Sequence, residues 1–131
     1  MTYRHPPKGK PRRVAGTMNK LEQAYSDVLA HRLRQGEIVW FKYEGVTFRL
    51  GQDCRFTPDF AVMLPDGAIE LHETKGFMQD DALVKIKACV AQYPFPLVLV
   101  TKDAKKDGGA WRFRRIEDDL ADAVSTADRL F

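Results

Sequence analysis

The chain has 131 residues, a net charge of +3 and 44% hydrophobic residues, which is typical of one globular domain with a modest core. No apolar run is long enough to span a membrane and the N-terminus lacks a signal-peptide pattern, so we expect a cytoplasmic protein. The two cysteines, Cys54 and Cys89, fit neither a zinc site nor a disulfide framework, and we expect both to be reduced.

Residues 1–17 are a basic segment rich in proline and glycine that we expect to be disordered or extended. Residues 1–13 hold five basic residues and no acid, so the rest of the chain has a net charge of −2. Arg12 and Arg13 could neutralise DNA phosphates, or the segment could simply keep the protein soluble. Residues 18–131 are expected to form a single domain.

An amphipathic helix is predicted from about Met18 or Asn19 to Gln35, with Thr17 or Asn19 as its N-cap. Its apolar stripe consists of Leu21, Ala24, Tyr25, Val28, Leu29 and Leu33. Glu22 falls inside that stripe. It either closes a capping box with Asn19 or directs its carboxylate into the protein.

A stretch rich in β-branched and aromatic residues, Ile38–Leu50, predicts one long strand or two strands broken at Gly45. Gly51-Gln52-Asp53 is predicted to turn the chain into a hairpin that occupies residues 56–76.

The turn of this hairpin is marked by Pro65, Asp66 and Gly67. If these three residues form the loop, Leu64 pairs with Ala68, and Asp59 then lies opposite Glu73. A two-residue loop of Asp66-Gly67 would instead place Asp59 opposite Thr74 and leave the two acids diagonal.

Because side chains alternate along a strand, one face of the hairpin is apolar near the turn and charged at the other end. That face carries Thr57, Asp59, Ala61 and Met63 beside Ile69, Leu71, Glu73 and Lys75. Opposed carboxylates repel unless a positive charge lies between them, and a divalent cation is the natural candidate. The ammonium of Lys75 could instead complete a plain salt-bridged network. His72 faces the other side and is expected to be structural or exposed.

A second helix is predicted from about Asp81 to Gln92. Its stripe consists of Leu83, Val84, Ile86, Val90 and Ala91. Viewed down the helix axis, Lys87 lies within the angular range that this stripe covers, and Lys85 lies outside it. Lys87 either extends its ammonium to solvent or helps to hold a phosphate.

The last predicted elements follow in order. Phe95–Thr101 is a near-continuous apolar run that predicts a strand covered on both faces and paired beside the hairpin. After a polar loop at Lys102–Gly109, Trp111–Ile116 alternates as a basic edge strand that carries Arg112 and Arg114. Glu117–Leu130 is predicted to form an acidic amphipathic helix.

The sequence Pro58-Asp59, followed across the hairpin by Glu73-Thr74-Lys75, resembles the PD-(D/E)XK nuclease superfamily. Glu22 resembles the glutamate that the first core helix of that superfamily often contributes. The resemblance covers roughly residues 18–101, and small phage and prophage nucleases of a family of unknown function are similar at closer range. It implies an α/β (α+β) fold with a restriction-endonuclease-like αβββαβ core, in which helices flank a mixed central sheet.

The resemblance also implies roles for individual residues. Asp59, Glu73 and the backbone carbonyl of Thr74 would bind Mg²⁺ or Mn²⁺, and Glu22 would bind the ion directly or through water. Oxygen ligands of this kind favour such hard cations. Lys75 would orient or activate the attacking water, giving 5′-phosphate and 3′-hydroxyl products.

The expected function is therefore that of a metal-dependent DNA endonuclease. Branched DNA, as for a Holliday junction resolvase in phage recombination or replication, is the expected substrate because the chain is too short for a separate sequence-reading domain. Symmetric cutting would require a homodimer. The alternatives are a nicking, restriction-like or non-specific nuclease, a nucleic-acid-binding module that does not cut, and a plain interaction domain. The residues expected to contact DNA are Lys85, Lys87, Arg12, Arg13, Arg112 and Arg114.

Overall fold

The computed structural model describes residues 16–76 and 80–116. These residues form a mixed α+β structure, in agreement with the predicted fold class. Its helices and strands are α1 (Lys20–Arg34), β1 (Trp40–Tyr43), β2 (Phe48–Gly51), β3 (Cys54–Phe56), β4 (Phe60–Met63), β5 (Ile69–Thr74), α2 (Asp80–Gln92), β6 (Leu97–Lys102) and β7 (Trp111–Arg115). The basic segment that contains Arg12 and Arg13, and the predicted helix Glu117–Leu130, lie outside the described residues.

The main sheet has five strands in the order β1-β4-β5-β6-β7, and β2 pairs with β3 in a separate two-stranded sheet. β5 and β6 are parallel and are joined through α2, whereas the other neighbouring strands are antiparallel. β6 lies next to the hairpin and is buried from Leu97 to Val100, which confirms the prediction for this apolar run. β7 is an edge strand, also as predicted.

Two apolar layers cover the two faces of the main sheet. On one face, which we call the α1 face, Tyr25 and Leu29 of α1 pack on Phe60, Val62 and Val100. On the other, which we call the α2 face, the buried residues are Phe48, Leu71, Ile86, Cys89, Leu97, Leu99 and Ile116. The sheet therefore lies between α1 and a layer formed by α2 and the β2–β3 ribbon. Neither helix in the described ranges has the length and apolar character needed to cross a membrane.

The ends of α1 follow from local sequence signals. Asn19 is the N-cap and forms a capping box with Glu22, so of the two predicted caps the structure selects Asn19. At the other end Gly36 adopts φ +76°, and the N–H groups of Gly36 and Glu37 donate to the carbonyls of Leu33 and Arg32. This is the Schellman arrangement that glycine favours after a helix. Both ends agree with the predicted helix.

The stretch after α1 forms two strands that belong to different sheets. β1 ends at Tyr43, and Glu44 takes a left-handed φ of 48° before the chain reaches β2. β3, which pairs with β2, was not predicted as a separate strand. As a result Thr57 lies between β3 and β4, where its hydroxyl contacts that of Thr47 at 2.8 Å, and not on a strand opposite Lys75.

The extent of α2 is close to the prediction, but its buried arc differs. Ile86 and Cys89 are buried, whereas Val84 is 66% exposed and Ala91 is exposed. Lys87 is exposed with them, which is compatible with an ammonium that extends to solvent. The helix packs on β2 and β3, and those contacts, which the sequence alone does not define, fix its rotation. Cys54 and Cys89 are both free thiols, as expected.

Candidate active site

The hairpin of β4 and β5 has the three-residue loop and not the two-residue alternative. The Leu64 N–H donates to the Ala68 carbonyl at 2.8 Å, and the Gly67 N–H donates to the Leu64 carbonyl at 2.9 Å. Gly67 takes a φ of +89°, which a residue with a Cβ rarely adopts. The strand pairs run from Met63 with Ile69 to Phe60 with His72. Continued by one residue beyond Phe60 and His72, this register sets Asp59 opposite Glu73, as predicted for the three-residue loop.

Asp59 lies at the bend that precedes β4 and is only 8% exposed. Its carboxylate oxygen Oδ2 accepts hydrogen bonds from the backbone N–H of Thr74 at 2.9 Å and from the Thr74 hydroxyl at 2.7 Å. Its backbone carbonyl accepts from the N–H of Glu44 at 2.7 Å. Hydrogen bonds to a carboxylate are stronger than those between neutral groups, so the side chain of Asp59 is held in one orientation at the open end of the hairpin.

Glu73 is 3% exposed and lies on the α2 face, paired with Leu99 of β6. Burial, followed by hydrogen bonding to the Asp59 side chain and by the charge of Asp59, raises the pKa of Glu73 to about 9. The charge of Lys75 and the backbone of Asp59 lower this pKa, but by less. At neutral pH and without a cation, the pair of acids therefore retains a proton. The reason is the large free-energy cost of ionising two adjacent buried carboxyl groups.

Lys75 follows the last residue of β5 and is half-buried. Its backbone N–H donates to the Val100 carbonyl at 2.9 Å, so the backbone stays aligned with β6 beyond the end of β5. Alternation along the chain places its side chain on the face of Glu73, and its charge acts on the Glu73 carboxyl group. Asp59, Glu73, Thr74 and Lys75 are thus brought together at one end of the hairpin.

Glu22 is 1% exposed, and each of its carboxylate oxygens has a partner on the α1 side of the sheet. Oε1 accepts from the Asn19 N–H at 3.0 Å, which completes the capping box. Oε2 accepts from the Tyr43 hydroxyl at 3.0 Å. Of the two interpretations of Glu22, capping is therefore confirmed, and its part in a metal site stays a prediction.

Asp59 and Glu73 form a pair, and no larger group of metal-ligating side chains is found in the described ranges. Within residues 16–76 and 80–116, no three His, Cys, Asp or Glu side chains come together as a group that could hold a metal ion. The arrangement is a pair, Asp59 and Glu73, with Glu22 engaged separately by Asn19 and Tyr43.

The predicted DNA-contacting residues that are described lie on the α2 side of the molecule. Lys85 and Lys87 are exposed on α2, and the Lys85 ammonium lies 3.5 Å from the Arg55 carbonyl. Arg114 pairs with Leu99, the residue that also pairs with Glu73, so Arg114 shares the face of Glu73. Arg112 lies on the same face, opposite Thr101.

One polar network on the α1 face was not predicted. The Tyr25 hydroxyl lies 2.6 Å from Nδ1 of the buried His72, and Nε2 of His72 lies 3.0 Å from Glu70. The hydrogen bond between His72 and Glu70 lowers the pKa of Glu70. Burial raises the pKa of Tyr25. The network borders a recess of about 460 Å³ that Arg32 and Arg115 also line. The sequence pattern that could have predicted this network is Tyr25 in the apolar stripe of α1, together with Glu70 and His72 on one side of β5.

No family model, curated protein sequence or solved structure matches this chain, so the assignment of the site depends on the geometry of its own residues.

Proposed function

We propose that the protein is a metal-dependent DNA endonuclease that hydrolyses phosphodiester bonds. The observation that carries the proposal is the pair of buried, opposed acids, Asp59 and Glu73, with Lys75 beside them. Burial and mutual proximity raise the pKa of Glu73 to about 9. A bound cation would stabilise the ionised forms of both carboxyl groups. Such perturbed pairs occur more often at functional sites than elsewhere.

The order of elements supports a relation to the PD-(D/E)XK superfamily. Without the β2–β3 ribbon, the chain runs α1, β1, β4, β5, α2, β6, which is the αβββαβ order expected of that core. The acids lie on β5 and at the bend before β4, the two central elements of this order. β7 would be an addition at the edge of the sheet.

The residues present fit Mg²⁺ or Mn²⁺. Their donor atoms are all oxygens, namely the carboxylates of Asp59 and Glu73 and the carbonyl of Thr74, which suits a hard cation. Protein sites for Mg²⁺ commonly use one or two carboxylates and leave the remaining positions to water and substrate phosphate. A pair of acids is therefore sufficient, and Glu22 need not be a ligand.

Each residue has a distinct role in the proposed chemistry. A bound divalent cation would stabilise charge on the phosphate and lower the pKa of water. Thr74 fixes the carboxylate of Asp59 through its two hydrogen bonds. Glu73 loses its proton when positive charge is present, and Lys75 orients the attacking water.

The preferred substrate is branched DNA, such as a four-way junction, cut by a homodimer. The main sheet carries the basic side chains of Arg112 and Arg114 on the face of the acids, which suits contacts to phosphates more than to base edges. Phosphate contacts position a nucleic acid without reading its sequence.

The test is cleavage of labelled four-way junction, matched duplex and single-stranded DNA in Mg²⁺, Mn²⁺ or EDTA. Asp59→Asn and Lys75→Ala should each lower the rate at least ~100-fold, by analogy with losses at other catalytic groups. Asp27→Asn, an exposed acid on α1, is the matched control and should cut like the wild type. Cleavage that persists in EDTA, or in both site variants, would exclude this site.

A second candidate is a DNA-binding module that does not cut. The observation that favours it is that both carboxylate oxygens of Glu22 accept hydrogen bonds, from Asn19 and Tyr43. Asp59 and Glu73 then remain as the acids for a metal site, where the resemblance implied three. It predicts salt-dependent DNA binding without cleavage in any metal. The same assay with a binding measurement separates the two candidates.

A further inference from the structure

A recess lies at the edge of the main sheet, on the same face as Glu73. It has a volume of about 330 Å³ and is lined by Leu99, Thr101, Arg112, Phe113 and Arg114. None of these residues belongs to the acid pair. The recess is nevertheless bounded by Leu99, which pairs with Glu73, so it adjoins the candidate active site on the α2 face.

The strand register fixes the distance between the two sites. Glu73, Leu99 and Arg114 are aligned across three neighbouring strands. Adjacent strands are ~4.8 Å apart, so the backbone of Arg114 lies roughly 10 Å from that of Glu73. The axial rise per nucleotide in a duplex strand is ~3.4 Å, so a DNA chain held at the acids reaches the recess within about three nucleotides.

The two arginines of the recess are held differently. The guanidinium of Arg112 is fixed by Asp103, with Nε 3.0 Å from both carboxylate oxygens and Nη2 3.0 Å from Oδ2. Arg112 is nevertheless 71% exposed, so it presents a planar group of fixed orientation whose charge is balanced by Asp103. Arg114 is exposed on the same face of β7.

These features suit a single nucleotide. An arginine plane can stack on a base, a second arginine can neutralise a phosphate, and Leu99 gives the recess an apolar floor. The Thr101 hydroxyl adds one polar group. The volume lies at the lower end of the ~300–1,000 Å³ found for ligand pockets, which fits one nucleotide and not a duplex.

We propose that this recess binds an unpaired nucleotide of the DNA substrate, one to three positions from the bond that is cut. The base stacks on the Arg112 plane and the phosphate contacts Arg114. Bases in an intact duplex are stacked on their neighbours and cannot enter, so among branched DNA substrates the site selects those with an unpaired nucleotide at or near the branch. This inference rests on the proposed nuclease function and names the class of DNA on which it acts.

The test measures binding by fluorescence anisotropy in EDTA, which prevents cutting. The probes are a matched duplex, the same duplex with one bulged nucleotide, and the same bulge with an abasic residue. The wild type should bind the bulge ~10-fold more tightly than the matched duplex, and the abasic bulge should lose that preference. Arg112→Ala should abolish the preference while the affinity for matched duplex changes less.

Arg114 and Arg115 give a matched pair of variants because they are adjacent in the chain but lie on opposite faces of β7. Arg114 pairs with Leu99 of the α2 face, whereas Arg115 pairs with Val98 of the α1 face. Arg114→Gln should weaken binding to every probe and reduce the salt slope by about 1. Arg115→Gln should leave all affinities within about twofold of the wild type, as for a charge remote from the phosphates.

The outcomes separate this inference from the nuclease proposal. The recess proposal is overturned if bulged and matched duplex bind equally, or if the Arg114 and Arg115 variants lose equal DNA affinity. Either result leaves the nuclease proposal to the test of metal-dependent cleavage. A preference for the bulge without cleavage in Mg²⁺ or Mn²⁺ supports the recess and overturns the nuclease. Absence of binding to any probe in EDTA overturns the recess and leaves the nuclease proposal to the cleavage assay in Mg²⁺ or Mn²⁺.

Discussion

Asp59 and Thr74, which are 15 residues apart in the chain, are joined by two hydrogen bonds to a single carboxylate oxygen. The pair closes the open end of the hairpin, beyond the last strand pair, Phe60 with His72. Both hydrogen bonds go to Oδ2 of Asp59. The orientation of the proposed metal ligand Asp59 thus depends on Thr74.

Replacement of Thr74 by valine should destabilise the protein by about 1.5–3 kcal/mol, because a buried carboxylate loses a hydrogen bond while the side-chain volume is kept. Urea unfolding in EDTA measures this change. Thr101→Val, on the neighbouring strand β6, is the control and should change the free energy of unfolding by less than ~0.5 kcal/mol. Equal effects of the two substitutions would contradict the role given to Thr74.

The stability of the metal-free protein should fall as the pH rises from about 4.5 to about 9. In this interval folded Glu73 keeps a proton that the unfolded chain, with a pKa near the ordinary 4.5, has released. The folded state binds more protons, so raising the pH favours unfolding, with a slope of at most ~1.4 kcal/mol per pH unit. Urea unfolding at several pH values in EDTA gives this slope.

Glu73→Gln provides the control for this pH dependence, because glutamine has no proton to release. The variant should lose the slope between pH 4.5 and 9 that the pKa of Glu73 produces. Mg²⁺ or Mn²⁺ should stabilise the wild type more at high pH than at low pH, since the cation competes with the proton. Parallel pH profiles of wild type and variant would show that Glu73 is not the titrating group.

Both carboxylate oxygens of Glu22 already accept hydrogen bonds, so we expect Glu22 to act as a helix cap and not to take the ligand role that the resemblance implies. Glutamine can also close a capping box, so Glu22→Gln should change stability by less than ~0.5 kcal/mol, whereas Glu22→Ala should cost ~1 kcal/mol or more. Isothermal titration with Mn²⁺ gives the second readout, and Glu22→Gln should keep an affinity within about threefold of the wild type. A loss of 10–100-fold in a folded Glu22→Gln variant would instead establish a role at the metal.

Tyr25→Phe should destabilise the protein without affecting the metal site. The substitution removes the hydroxyl that lies 2.6 Å from Nδ1 of His72, and it leaves a buried ring nitrogen without that partner. The expected cost is about 1–3 kcal/mol, measured by thermal or urea unfolding. Because Tyr25 packs on the α1 face and Glu73 lies on the α2 face, Mn²⁺ affinity should stay unchanged. A parallel loss of Mn²⁺ affinity would show that the two faces are coupled.

The features that were predicted correctly depend on residues close together in the chain. Pro65, Asp66 and Gly67 fix a three-residue loop, and that loop fixes the register that opposes Asp59 and Glu73. Asn19 and Glu22 define the start of α1 in the same way. Turns and caps are satisfied by hydrogen bonds within a few residues, so their sequence signals suffice.

The features that were missed depend on distant contacts. The separation of β2 and β3 from the main sheet, and the exposure of Val84 on α2, follow from how α2 packs on that ribbon. A short amphipathic helix with apolar residues around much of its circumference does not define its own rotation.

For this protein the sequence by itself determined the hairpin, the ends of α1 and the approximate extent of α2, and it left two registers for the two acids, between which the three-residue loop of the structure decides. Only the tertiary structure decided that Glu22 is engaged by Asn19 and Tyr43, that Glu73 is buried with a raised pKa, and that Arg114 shares its face. The physical reason is that burial, pKa and the sharing of a face depend on strands that are distant in the chain and meet only in the folded sheet.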